Sequence, residues 1–92
     1  MNEEIEAKEC AEARRLAGLC FTDEEIAIVL EKDPEELATD VDEMKTPLAK
    51  AIAGGRLLLK ANVVNSVVKL AVRGSSPAQR EVLDMLKKLG LL

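Results

Sequence analysis

Residues 57–73, "LLLKANVVNSVVKLAVR", read as one helix that is apolar around most of its circumference. At ~100° per residue, Asn62, Asn65, Ser66, Lys69 and Arg73 share an arc of about 100°, and aliphatic side chains cover most of the remainder. A surface helix needs only an apolar stripe; one this apolar is central to its domain or is covered by a neighbouring chain. With 92 residues the chain is the size of one small domain, and few other elements remain to cover such a helix. The pattern therefore predicts self-association, with Leu57, Leu59, Val63, Val64, Val67 and Val68 as the contact residues.

Punctuation places four further helices. The first runs from about Glu3 to Ala17, with Ile5, Cys10, Ala13, Leu16 and Ala17 as its apolar stripe and Gly18 as its C-cap. "TDEE" opens the second as a capping box, with Thr22 at the N-cap and Glu25 returning to its backbone. Its buried side is Ile26, Ala27, Val29 and Leu30. "DPEE" opens the third, with Asp33 at the N-cap, Pro34 at the first helical position and Glu36 closing a second box. Leu37, Ala38, Val41 and Met44 form its apolar side. Thr46 and Pro47 open the fourth, which runs to Arg73 and is about 40 Å long at ~1.5 Å per residue. Gly54-Gly55 within it predicts a kink, a break or a close helix contact, because each Gly costs roughly 1 kcal/mol against Ala in a helix interior. Ser76 and Pro77 open the fifth helix, and Gly90 closes it. The expected fold is all-α: about five helices, an N-terminal helix-turn-helix, then a long helix and a C-terminal helix that form an oligomerising hairpin.

Charge divides the chain in two. Residues 1–46 hold fifteen acidic and five basic side chains, whereas residues 47–92 hold two acidic and eight basic ones. This predicts an acidic helix-turn-helix region over 1–46 and a basic hairpin for oligomerisation over 47–92, within one compact unit. Such asymmetry points to an anionic partner for the basic half, or to copies meeting acidic face to basic face. The candidate contacts to double-stranded DNA are Lys50, Arg56, Lys60, Lys69, Arg73, Arg80, Lys87 and Lys88, which would grip phosphate and add affinity without sequence choice.

Composition removes several functions. There is no His, Trp or Tyr and only one Phe, so the commonest general base, the commonest metal ligand and any aromatic platform for single-stranded nucleic acid are missing. The carboxylate pairs Glu24/Glu25 and Glu35/Glu36 sit at helix starts, where capping accounts for them. "AGGR" at 53–56 lacks the spacing and the Lys-Ser/Thr of a phosphate-binding loop. No EF-hand spacing occurs. Catalysis, cofactors, metals and small-molecule substrates are therefore not expected. Cys10 and Cys20 lie in helix-like surroundings and read as buried or half-buried free thiols of a reducing compartment. The first ten residues lack the pattern of a signal peptide, and no apolar run approaches the ~20 residues of a membrane span. A cytoplasmic protein is expected.

Ile26, Ala27, Leu30 and Leu37 stand where a helix-turn-helix buries its side chains, and the small Ala27 lets two helices cross closely. The turn departs from the motif, with Glu31 and Lys32 where a Gly and an apolar residue are usual. The second helix of the pair carries Glu35, Glu36, Asp40, Asp42 and Glu43, a poor match to a polyanion. Three readings stay open from the residues: a DNA-binding assembly, a helix-turn-helix transcription regulator, and a helical protein-interaction module that does not bind DNA.

Two stretches carry a family likeness. In "FTDEEIAIVLEKDPEELATDV" the positions are Thr22, Glu24, Glu25, Ile26, Ala27, Leu30, Pro34, Glu35 and Leu37. In "GRLLLKANVVNSVVKLAVRGSSPAQREVLDML" they are Gly55, Arg56, Ala61, Val63, Ser66, Ala71, Gly74, Pro77 and Ala78. Over about residues 14–90 the chain resembles the small terminase subunits of tailed phages and prophages. That resemblance implies a non-catalytic DNA-packaging role in the cytoplasm of a bacterial host, a homo-oligomer that can close into a ring, and a terminase large subunit as partner. The family's reading helix often carries basic residues where this chain has Thr39 and Asp40, which moves the expected DNA contact to the basic side chains after residue 46.

Overall fold

The computed structural model describes residues 2–92, all-helical apart from turns. Five helices follow in order: α1 (Asn2–Ala17), α2 (Asp23–Val29), α3 (Pro34–Glu43), α4 (Pro47–Val72) and α5 (Ser76–Lys88). Their starts are fixed by local chemistry. The Thr22 hydroxyl accepts the Glu25 N–H at 3.1 Å, and the Glu25 carboxylate accepts the Thr22 N–H at 2.9 Å, so the predicted capping box is complete. Asp33 caps α3 by accepting the Glu35 N–H at 3.0 Å. Glu36 does not return to the Asp33 backbone, so the second box is only a one-sided cap. Thr46 caps α4 through the Ala49 N–H, and Ser75, just before the opening Ser76, caps α5 through the Ala78 N–H.

Packing divides the described chain into two compact units, Met1–Leu59 and Lys60–Leu92. The boundary lies inside α4 and not at residue 46, where the charge changes sign. The reason is that the first half of α4 belongs to the N-terminal core. Ile52 is fully buried there beside Ala13, Leu16 and Ala17 of α1, Ile26 and Ala27 of α2, and Leu37 of α3. Phe21, Leu30, Val41 and Leu48 close the edges of that cluster.

The Gly54-Gly55 pair neither breaks nor interrupts α4. Gly55 instead marks a close crossing with α1. A Cβ built on Gly55 would stand 2.3 Å from the Arg14 carbonyl oxygen and 3.0 Å from the Ala17 Cβ. Of the three outcomes that the sequence allowed, the structure takes the close helix contact.

Three turns close on residues in the left-handed region that are not glycine: Cys20 (φ 70°), Glu31 (φ 58°) and Met44 (φ 55°). Glu31 occupies the turn position where the motif usually has Gly. The chain thus departs from the pattern in residue type while its backbone takes the conformation that Gly favours. Met44 leaves the apolar side predicted for α3 because it has become the αL cap, 44% exposed. Val29 is also half in solvent, since α2 buries only Ile26 and Ala27.

The second unit pairs the end of α4 with α5. Gly74, at φ 104°, turns the chain, and the Gln79 side-chain amide donates to the Ala71 carbonyl at 3.1 Å. In this unit only Ala71 and Ala78 are buried among the described residues; Val64, Val67, Val82, Met85 and Leu86 are half-buried. Residues 64, 67 and 71 recur at helical spacing, so they form the seam toward α5.

Candidate nucleic-acid interface and self-association surface

The basic candidates separate into one that is engaged and seven that are free. Arg56 is engaged. Its Nη2 donates to the Phe21 carbonyl at 3.2 Å and lies 2.7 Å from Asp23 Oδ1. That buried oxygen is out of hydrogen-bond alignment with the guanidinium, so the charge of Arg56 is what compensates it. Arg56 therefore ties α4 to the α1–α2 loop and to the first residue of α2. We expect Arg56→Ala to destabilise the N-terminal unit by about 1–2 kcal/mol, after allowing for the partial exposure of the pair. Urea unfolding followed by circular dichroism checks this.

Lys50, Lys60, Lys69, Arg73, Arg80, Lys87 and Lys88 are all exposed and form no ion pair among the described residues. They do not make one face. On α4, Lys69 and Arg73 lie one turn apart in the polar arc with Asn62, Asn65 and Ser66, all exposed. Lys60 falls about 180° from Lys69 around the helix. On α5, Arg80 and Lys87 share a side, and Lys88 is rotated about 100° from Lys87. The Lys69–Arg73 strip, rimmed by two asparagines that can donate to phosphate oxygens, is the best-formed candidate contact.

The self-association candidates also divide. Leu57, Val63 and Val68 are 63%, 55% and 37% exposed, whereas Leu59, Val64 and Val67 are half-buried. Leu70 and Val72, 51% and 83% exposed, belong with the first group, although residue type alone did not rank them among the contact residues. At ~100° per residue, the exposed aliphatics of the second unit fall on both flanks of the seam: Ala61, Val68 and Val72 on one side, and Val63 and Leu70 on the other. Leu83 on α5, and Leu89, Leu91 and Leu92 beyond it, are exposed as well.

The N-terminal unit also holds a groove of about 550 Å3 between α1, the start of α3 and the start of α4. Ile5, Leu37 and Leu48 supply apolar lining, and Glu6, Glu36 and Asp40 supply acidic side chains. Lys32 reaches the same groove, with its ammonium 3.0 Å from Glu9.

The cysteines differ from each other. Cys10 is half-buried, and burial followed by the nearby Glu6 and Glu9 carboxylates raises its thiol pKa above the ordinary value. Cys20, predicted to be at least half-buried, is instead exposed, because it sits in the left-handed turn after α1 and not within the helix. A thiol-alkylating reagent at mildly alkaline pH should label Cys20 severalfold faster than Cys10, as peptide mapping of a time course would read.

Among the described residues no group of three or more His, Cys, Asp or Glu side chains is placed to hold a metal ion, and no helix is long and apolar enough to cross a membrane. No family model, curated protein or solved structure matches the chain.

Proposed function

We propose that the chain is a non-catalytic DNA-binding subunit that works as a homo-oligomer, of the kind found in phage and prophage small terminase subunits. The observation that carries this reading is the C-terminal unit. Residues 60–92 hold six basic and two acidic side chains, every base is solvent-exposed, and exposed aliphatics flank the hairpin on both sides. Free cations suit a polyanion, and the apolar flanks suit further copies of the same hairpin. The sequence resemblance adds the packaging role and a large subunit as partner. The acidic α3 supports neither direct base reading nor the transcription-regulator alternative, since a helix carrying Asp40, Asp42 and Glu43 is repelled by phosphate.

Titration against a short mixed-sequence duplex over a range of salt concentrations tests the proposal. Binding should weaken steeply as salt rises, by about 0.9 in log–log slope for each phosphate contacted. Lys69→Ala with Arg73→Ala should flatten the slope by about 2 and weaken binding alike for all duplex sequences. Absence of binding at low salt would overturn the DNA reading and favour the protein-interaction module.

A further inference from the structure

We propose that the acidic groove of the N-terminal unit receives the C-terminal segment, residues 87–92, of a second copy of this chain. The groove and the segment have complementary chemistry. Ile5, Leu37 and Leu48 give the groove its apolar lining, and Glu6, Glu36 and Asp40 give it carboxylates with no cation within ion-pair distance among the described residues. Its volume of about 550 Å3 lies within the ~300–1,000 Å3 range of ligand-binding clefts. The segment "KKLGLL" presents the converse. Leu89, Leu91 and Leu92 are 72%, 67% and 68% exposed, and Lys87 and Lys88 have no acidic partner among the described residues. Gly90, at φ 74°, turns the chain after α5, so the last leucines leave the helical path.

The wider charge distribution acts in the same direction. Residues 1–59 hold seven basic and fifteen acidic side chains, a net of −8, against +4 for residues 60–92. Copies approaching acidic unit to basic unit are attracted, and copies approaching like to like are repelled. Leucines enter the apolar lining, and the two lysines meet the carboxylates at the rim, where the charges need not be fully desolvated. This contact goes beyond the DNA-binding reading, uses a different surface from the hairpin flanks, and needs no DNA.

The test mixes unlabelled and 15N-labelled full-length chain without DNA and applies a carbodiimide, which joins carboxylate to amine with no spacer. Mass spectrometry should find Lys87 or Lys88 joined to Glu6, Glu36 or Asp40 in mixed-isotope pairs. Glu36→Lys with Asp40→Lys should lower the yield about tenfold, and Lys87→Glu with Lys88→Glu, which removes the linking amines, should bring it to zero. Mixing the two variants should restore it, because each supplies the charge that the other's surface now lacks. All four positions are in solvent or half-buried, and unchanged helical circular dichroism will establish that the variants fold. Links found only within one isotope, no links, or no recovery on mixing would overturn the proposal. Duplex binding by the unmodified chain is measured separately, so failure of the DNA reading and failure of this contact are told apart.

Discussion

Gly55→Ala will lower the melting temperature of the N-terminal unit by about 10 °C, while Gly54→Ala, one residue earlier, will raise it. The added methyl at residue 55 would be 2.3 Å from a backbone carbonyl of α1, which cannot rotate aside as a side chain could. Either α1 shifts or α4 bends. Overpacking of this kind costs about 1–3 kcal/mol, and a rigid receiving surface places it at the upper end. Better helix propensity returns roughly 1 kcal/mol. A net loss of about 2 kcal/mol corresponds to that temperature shift in a unit of this size. At residue 54 the same methyl would rest 3.6 Å from the Arg14 guanidinium, an ordinary contact with a mobile group. Only the propensity gain, up to about 1 kcal/mol, then remains. Thermal and urea unfolding of the two variants would show opposite signs. Equal effects would mean that α1 and α4 do not cross at Gly55.

The largest effect on assembly is expected from Val63→Glu combined with Leu70→Glu. Both residues are about half exposed on one flank of the hairpin, so the single chain should keep its helix content. If that flank is covered by another copy, two aliphatic side chains are lost from an interface at about 1.5–3 kcal/mol each. Self-association should then weaken by roughly two to four orders of magnitude, as sedimentation at a series of concentrations would show. Val68→Glu with Val72→Glu tests the other flank. Loss of assembly from either pair indicates a heterologous contact that joins one flank to the opposite flank of the next copy, the arrangement that closes into rings. Sensitivity of one flank alone indicates a two-fold dimer. A wild-type chain that stays monomeric at high concentration would remove self-association from the proposed function.

Helix existence was legible wherever it depended on neighbours in sequence. Thr22 with Glu25, Asp33 before Pro34, and Thr46 before Pro47 each set a helix start within four residues, and the structure places α2, α3 and α4 accordingly. What residue type could not show was long-range. Arg56 is one more base in the C-terminal half by composition, yet its partners are Phe21 and Asp23, more than thirty residues away. Gly54 and Gly55 are equivalent by propensity, and only the position of α1 separates them. Val29 and Met44 fit the apolar period of their helices, but α2 is too short to bury the one, and the left-handed cap turns the other outward. The groove was not legible either, because its lining comes from three helices, and the acidic residues at α1 and α3 read separately as caps and solvated faces. The apolar excess of residues 57–73 was legible, and the structure sharpens it by separating the seam residues Val64, Val67 and Ala71 from the open flanks.

The tight crossing at Gly55 also bears on how α4 resists opening. Helix ends fray because terminal turns have few neighbours to hold them, and fraying proceeds one hydrogen bond at a time toward the first well-packed turn. In α4 the turns around Ile52 and Gly55 are held against α1, while within the second unit the turns beyond Lys60 bury a single residue, Ala71. One uninterrupted helix thus contains two regimes of local stability. Its C-terminal turns open at low free energy in an isolated chain, and whatever covers the hairpin flanks raises that free energy without needing to touch the N-terminal core.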